Sequence, residues 1–165
     1  MSTVLVVYYT KTGTTGETAR MIGETLTSGG HSVTIKEIAD LETADIENTQ
    51  AVIIGAPING MRWHDTASAL VENRQAQLSS KKTAVFALSY MHGACRPFWK
   101  NLIEKSVEMQ ASTIGALDNA IFTGRVDGVL PVPVRLMFGL KKNTPLDRTD
   151  SARVRAWAEQ LSQKL

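Results

Sequence analysis

Thr10-Lys11-Thr12-Gly13-Thr14-Thr15 is the run of residues best suited to chemistry in this chain, and what it is suited to is holding an anion. It follows an unbroken apolar run, Val4 to Tyr9, and precedes a segment in which Ala19, Ile22 and Leu26 recur at helical spacing. A short loop of threonines and a glycine between a strand and a helix gathers three donors of positive charge around one point. These are the unpaired N–H groups of the first helical turn, the positive end of the helix dipole, and the hydroxyls. Gly13 lets the backbone approach a ligand closely. No Gly-Lys-Ser/Thr follows the glycine, and the other glycines of the dinucleotide pattern are missing, so neither of those nucleotide loops is expected. The competing reading is a threonine-rich turn with an ordinary helix cap.

Two further loops follow apolar runs. Gly55-Ala56-Pro57-Ile58-Asn59-Gly60-Met61-Arg62-Trp63-His64 continues from Ala51 to Ala56, and Ser89-Tyr90-Met91-His92-Gly93-Ala94-Cys95 continues from Thr83 to Leu88. Ligands of open parallel sheets lie outside the carboxyl ends of the strands. Pro57, Ile58, Asn59, Gly60 and Trp63, with Ser89, Tyr90, Met91, His92 and Gly93, are therefore the candidate walls of a ligand site. Trp63 and Tyr90 have the shape to stack on a ligand that is itself a flat ring; otherwise they are a surface-anchoring aromatic and a strand-end core residue. Asn59-Gly60 tolerates positive φ and can occupy more than one turn type. Arg62, His64, His92 and Arg96 outnumber the acid Asp65 in these loops, a bias that favours negative charge on a ligand bound between them. No side chain stands out as a catalytic acid or base, and the single Cys95 excludes an internal disulfide or a metal cluster built on paired cysteines.

The elements that must position these loops read as alternating short apolar runs and helical segments, the pattern of a βαβ protein. Val33 and Ile35 alternate with polar residues, so the second strand belongs at a sheet edge, and Asn119 to Thr123 is the candidate fifth strand. Ala67, Leu70, Val71 and Leu78 mark one amphipathic helix; Phe98, Leu102, Ile103 and Val107 mark another that starts near Pro97. The last helix is expected to be capped near Asp150 and to bury Val154, Trp157, Ala158 and Leu161. Gly124 to Leu146 is long for a loop, and a short helix from Pro133 to Leu140 is expected within it.

The chain of 165 residues is 43% hydrophobic and 21% charged, with a net charge of +2, which suits one globular domain. Its basic residues are dispersed, which argues against nucleic-acid binding. Nothing reads as a secretory signal or a membrane-spanning segment, so a cytoplasmic location is expected, with peripheral membrane contact through 126–142 left open.

Thr10, Thr12, Gly13 and Thr15 resemble, in place, the phosphate loop Thr/Ser-x-Thr/Ser-Gly-x-Thr of the flavodoxin family, and the resemblance extends over nearly the whole chain. It implies an α/β fold: a flavodoxin-like three-layer sandwich over residues 1–165, with a five-stranded parallel sheet in the order 2-1-3-4-5. It also implies FMN as cofactor, its phosphate held by residues 10–15 and its ring by the two later loops, with the peptide joining Asn59 to Gly60 able to rotate toward flavin N5. A narrower likeness, on the Gly55–His64 loop and the late segment of prolines, arginines and aromatics, is to the flavodoxin-type, menaquinone-dependent protoporphyrinogen oxidases. Those proteins are richer in arginine and tyrosine where this chain has Asn59, Gly60, Met61 and Val126 to Val134. Two functions follow from the resemblance. One is an oxidoreductase passing electrons between a small organic substrate and a quinone-type acceptor; the other is a one-electron carrier between redox partner proteins. The basic pI of about 8.8 leans toward the former, because carriers that dock on basic reductases are usually acidic.

Overall fold

In the computed structural model, which describes residues 1–126, 130–142 and 147–165, strict alternation along buried strands sorts the apolar residues onto two faces of one sheet. β1 (Thr3–Tyr8) sends Leu5 and Val7 to one face and Val4, Val6 and Tyr8 to the other, as a period of two requires. β3 (Ala51–Asn59) and β5 (Lys82–Leu88) do the same, and apart from Thr83, whose hydroxyl donates to the Ile114 carbonyl, the buried side chains of these central strands are apolar. β2 (Ser32–Glu37) alternates exposed and half-buried residues and lies at an edge. The parallel strands run in the order β2-β1-β3-β5-β6, with β6 (Asp118–Phe122) at the opposite edge, which is the 2-1-3-4-5 order expected from the sequence.

One strand was not anticipated. β4 (Arg62–Trp63) folds back antiparallel on the end of β3, pairing Ile58 with Trp63 and Asn59 with Arg62. The two-residue turn between them is Gly60-Met61, both with positive φ (56° and 64°), as a hairpin of this length demands. The turn is therefore centred one residue later than the Asn59-Gly60 pair that signals it.

Helices cover both faces. α1 (Thr14–Ser28) and α7 (Ser151–Ser162) pack together on the side of Val4, Val6 and Phe86. α2 (Thr43–Glu47), α3 (Asp65–Asn73), α4 (Gln75–Ser79) and α5 (Pro97–Thr113) cover the side of Leu5, Val52 and Val85. The single helix expected from Ala67 to Leu78 is two helices, α3 and α4, broken at Arg74, whose guanidinium donates to Thr43 Oγ1 and Gln77 Oε1. α5 starts at Pro97 and buries Ile103 and Val107 as expected, together with Gln110 and Ala111, but Phe98 and Leu102 lie on its outer side. α7 is capped by Asp150, which accepts from the Arg153 N–H at 3.0 Å, and buries the four residues its spacing predicts: Val154, Trp157, Ala158 and Leu161. A short α6 (Val132–Phe138) stands within the long late segment. The rest of the expectation for that segment, at 127–129 and 143–146, lies outside the described residues. Among the described residues no helix is long and apolar enough to cross a membrane.

Candidate functional site

At the carboxyl end of β1 the chain is anchored by the Tyr9 N–H, which donates to the Gly55 carbonyl at 2.9 Å, and then turns into α1. The Gly13 N–H donates to Thr10 Oγ1 at 2.9 Å, which tightens the loop and accounts for the Thr10 side chain. Gly13 caps α1 with φ 95°, a left-handed conformation that costs a side chain dearly. The first intrahelical bond runs from the Glu17 N–H to the Gly13 carbonyl, so the N–H groups of Thr14, Thr15 and Gly16 have no partner within the helix. No side chain caps this terminus.

Thr14 is the telling residue. It is 6% exposed, and its Oγ1 is buried with no hydrogen-bond partner among the described residues. A buried unpaired hydroxyl costs desolvation energy, so its place at the open end of a 15-residue helix marks a spot that an acceptor is meant to fill. Thr15 is also buried, while Lys11 and Thr12 lie on the exposed side of the loop. Arg125 holds Glu17, in the first turn of α1, through bonds of 2.8 and 3.0 Å, which offsets the one carboxylate that would oppose an anion here.

The loop after β3 differs from expectation at its most prominent residue. Trp63 is not a ring-stacking residue: it is 1% exposed, its indole N–H donates to the Phe86 carbonyl at 3.2 Å, and its backbone N–H donates to Ser106 Oγ at 2.8 Å. The hairpin is the cause. Alternation along β4 turns Arg62 outward, so Trp63 must turn inward, where it packs in the core cluster of α3 and α5. Pro57 and Ile58 are half buried, and Asn59 and Gly60 are exposed on the hairpin tip. His64 stacks on Tyr9 with ring centroids 4.1 Å apart, joining this loop to the first. Its Nδ1 accepts from the Thr66 N–H at 3.2 Å and so caps α3.

The loop after β5 is built around its own backbone. The Ser89 N–H donates to the Phe122 carbonyl, the His92 N–H donates to Ser89 Oγ, and the Ala94 and Cys95 N–H groups both donate to the Met91 carbonyl. Gly93, at φ 80°, is exposed. Tyr90 is half buried and therefore able to offer a ring face. His92 does not face that side. It is buried, and its Nε2 lies 3.0 Å from Glu104 Oε1 on α5, in a cleft of about 280 Å³ bounded by β6, α5 and α7. Desolvation pushes the Cys95 thiol above its ordinary value.

Arg148, which no sequence pattern marks, pins the loop that carries Tyr90. Its Nη1 donates to the Tyr90 carbonyl at 2.7 Å and to the His92 carbonyl at 3.3 Å, and its guanidinium lies 6.0 Å from the centre of the Tyr90 ring. Asp147 accepts from the Thr149 N–H and hydroxyl, bonds that hold its carboxyl below the usual range and shape the turn that presents Arg148. No local signal marks it, since it stands 58 residues along the chain from Tyr90. Of the four cationic residues expected near a ring, His92 points into the cleft, Arg62 is exposed beside Asp65, and Arg96 reaches the Leu136 carbonyl.

A family model described as a flavodoxin domain matches residues 5–128. Among solved structures, a short-chain flavodoxin associated with a non-canonical PDU bacterial microcompartment superposes with a TM-score of 0.69 at 18% identity, covering 99% of both chains. Flavodoxin 1 from Bacillus cereus gives a TM-score of 0.61 at 16% identity, again over 99% of each. An NADH:FMN oxidoreductase in its apo form gives 0.62 at 11% identity, covering all of this chain and 90% of its own. These likenesses are of fold. No curated protein matches the chain by sequence. The residues present fit FMN: the orphaned Thr14 hydroxyl and the uncapped α1 terminus suit its phosphate, and the half-buried Tyr90 suits its ring.

Proposed function

This chain belongs to the flavodoxin domain family, whose cofactor is FMN, and from that premise we propose that it is an FMN oxidoreductase passing electrons between an apolar organic substrate and a quinone-type acceptor. Bound FMN supplies the redox chemistry. The chain supplies the rest. Thr10, Thr12, Thr14 and Thr15, with the N–H groups around Gly13, hold the phosphate; Lys11 adds a cation at the rim of the same loop. Pro57, Ile58, Asn59 and Gly60 form one wall of the ring site, and Ser89, Tyr90, Met91 and Gly93 form the other.

The observation that carries the enzymatic reading is Arg148. A guanidinium locked onto the Tyr90 loop sets a fixed positive charge near the ring, and reduced flavin tends to be anionic, so the second electron is made easier to add. Cheap addition of both electrons suits two-electron chemistry with an organic substrate. A porphyrinogen is the narrower substrate class, and it has the weaker support, because Asn59, Gly60 and Met61 occupy positions where arginine and tyrosine would be expected.

The one-electron carrier remains as a second reading on one observation, the turn at Gly60-Met61. Met61 holds φ 64° without being glycine or asparagine, a conformation that stores strain which a peptide rotation at the turn would release. Redox potentiometry of the FMN-loaded chain separates the two. A second-electron potential near or above that of free FMN supports the oxidoreductase; one well below it overturns that reading in favour of the carrier.

A further inference from the structure

α6 has its apolar face on the outside. Val132 and Leu136 are each 68% exposed, Met137 is 53% exposed, and Pro133, between them around the helix, is exposed as well, so the solvent side of this helix carries no polar residue. Its inner side is already satisfied: Phe138 meets Trp99 edge-on at 5.3 Å, and the Phe138 carbonyl accepts from the Arg96 N–H at 3.2 Å. Nearby on α5, Phe98 packs edge-on against the same Trp99 and is itself 65% exposed. Burial of a helix normally runs the other way, with apolar residues in and polar residues out, so a surface of this kind is built to be covered.

The charges around it say by what. Residues 130–142 contain Arg135, Lys141 and Lys142 and no acid, and Arg96 stands at the adjoining start of α5, with Lys100 one turn on and paired at 3.7 Å with Glu104. Arg135 bends back onto the carbonyls of Lys141 and Lys142, which keeps its guanidinium at the flank of the apolar face. A small convex apolar face rimmed by cations suits the boundary between headgroups and acyl chains of an anionic bilayer, where the stems of lysine and arginine lie along apolar surface and their heads reach phosphates. A second copy of the chain would bring the same basic rim against itself.

We infer that α6, with Phe98, is a docking face for an anionic lipid bilayer. Arg96 joins α6 to the end of the Tyr90 loop, so docking would set the ring side of the molecule close to the membrane surface, where apolar electron acceptors dissolve. The inference goes beyond the redox reading and does not need it, since binding to lipid is read without any electron transfer.

The test is co-sedimentation of the full chain with vesicles of phosphatidylcholine alone and with vesicles containing phosphatidylglycerol. Sedimentation with the anionic vesicles is expected to exceed that with the neutral ones and to weaken with salt. Leu136→Glu, at an exposed site that cannot disturb the fold, is expected to lower the partition about tenfold or more, and Lys141→Glu with Lys142→Glu to abolish the preference for anionic lipid. Failure to bind anionic vesicles would overturn the inference, as would binding that Leu136→Glu leaves unchanged. So would a concentration-dependent dimer, dispersed by Leu136→Glu, in a chain that ignores vesicles.

Discussion

The two halves of the candidate site are built on different principles. The phosphate half is mainly local: Thr10 to Glu17 form it through one side-chain bond, the left-handed Gly13 and the open end of α1, and only Arg125 reaches in from outside, to hold Glu17. The ring half is assembled from afar. Its β3 hairpin is anchored by Trp63 to β5 and α5, and its β5 loop is pinned by Arg148 from beyond β6. The first half can be read from eight adjacent residues, whereas the second depends on contacts that only the folded chain brings together.

The largest effect expected from testing that contrast is at Trp63. Trp63→Ala should cost about 3–5 kcal/mol in urea unfolding, because it empties a core position; a ring-stacking tryptophan would cost little stability and much FMN affinity. The phosphate half should respond with opposite signs. Thr14→Val removes the orphaned hydroxyl and is expected to stabilise the free chain by about 1 kcal/mol while weakening FMN binding about tenfold, as thermal melts with and without FMN would report. A loss of stability in the free chain would mean that the hydroxyl has a partner already. Arg148→Gln should leave phosphate binding nearly intact but lower the second-electron potential and loosen the Tyr90 loop by about 1 kcal/mol. An unchanged potential would remove the guanidinium from the account of the ring.

The smallest effect expected is one of pH. Asp147 has its pKa lowered in the folded chain by the Thr149 hydroxyl and N–H, so its contribution is complete above the ordinary carboxylate value and is lost as pH falls through the lowered one. Asp147→Asn should therefore differ from the parent in an acid titration followed by circular dichroism above that window, and converge with it below.

The same contrast explains what the sequence could reveal. Strands such as Val4 to Tyr8 and the helix beginning at Thr14 announce themselves by composition and period, and with them the strand order and the phosphate loop. Trp63 misleads because an aromatic in a loop and an aromatic on a two-residue strand look alike until Asn59 and Arg62 are seen to pair, which reverses the direction of its side chain. Phe98 and Leu102 mislead because α5 presents apolar residues on both sides, and spacing alone cannot tell which side meets the sheet. Arg148 is silent, since a hydrogen bond to a distant carbonyl leaves no pattern in the chain.

Everything in the site turns on whether an FMN phosphate is anchored at the start of α1. Titration of the flavin-free chain with FMN and with riboflavin, followed by quenching of flavin fluorescence, tests it most directly. FMN is expected to bind at least about a hundredfold more tightly than riboflavin, because the orphaned Thr14 hydroxyl and the uncapped helix terminus have nothing to hold in a ligand without phosphate. Equal affinities, or no binding of either, would contradict it.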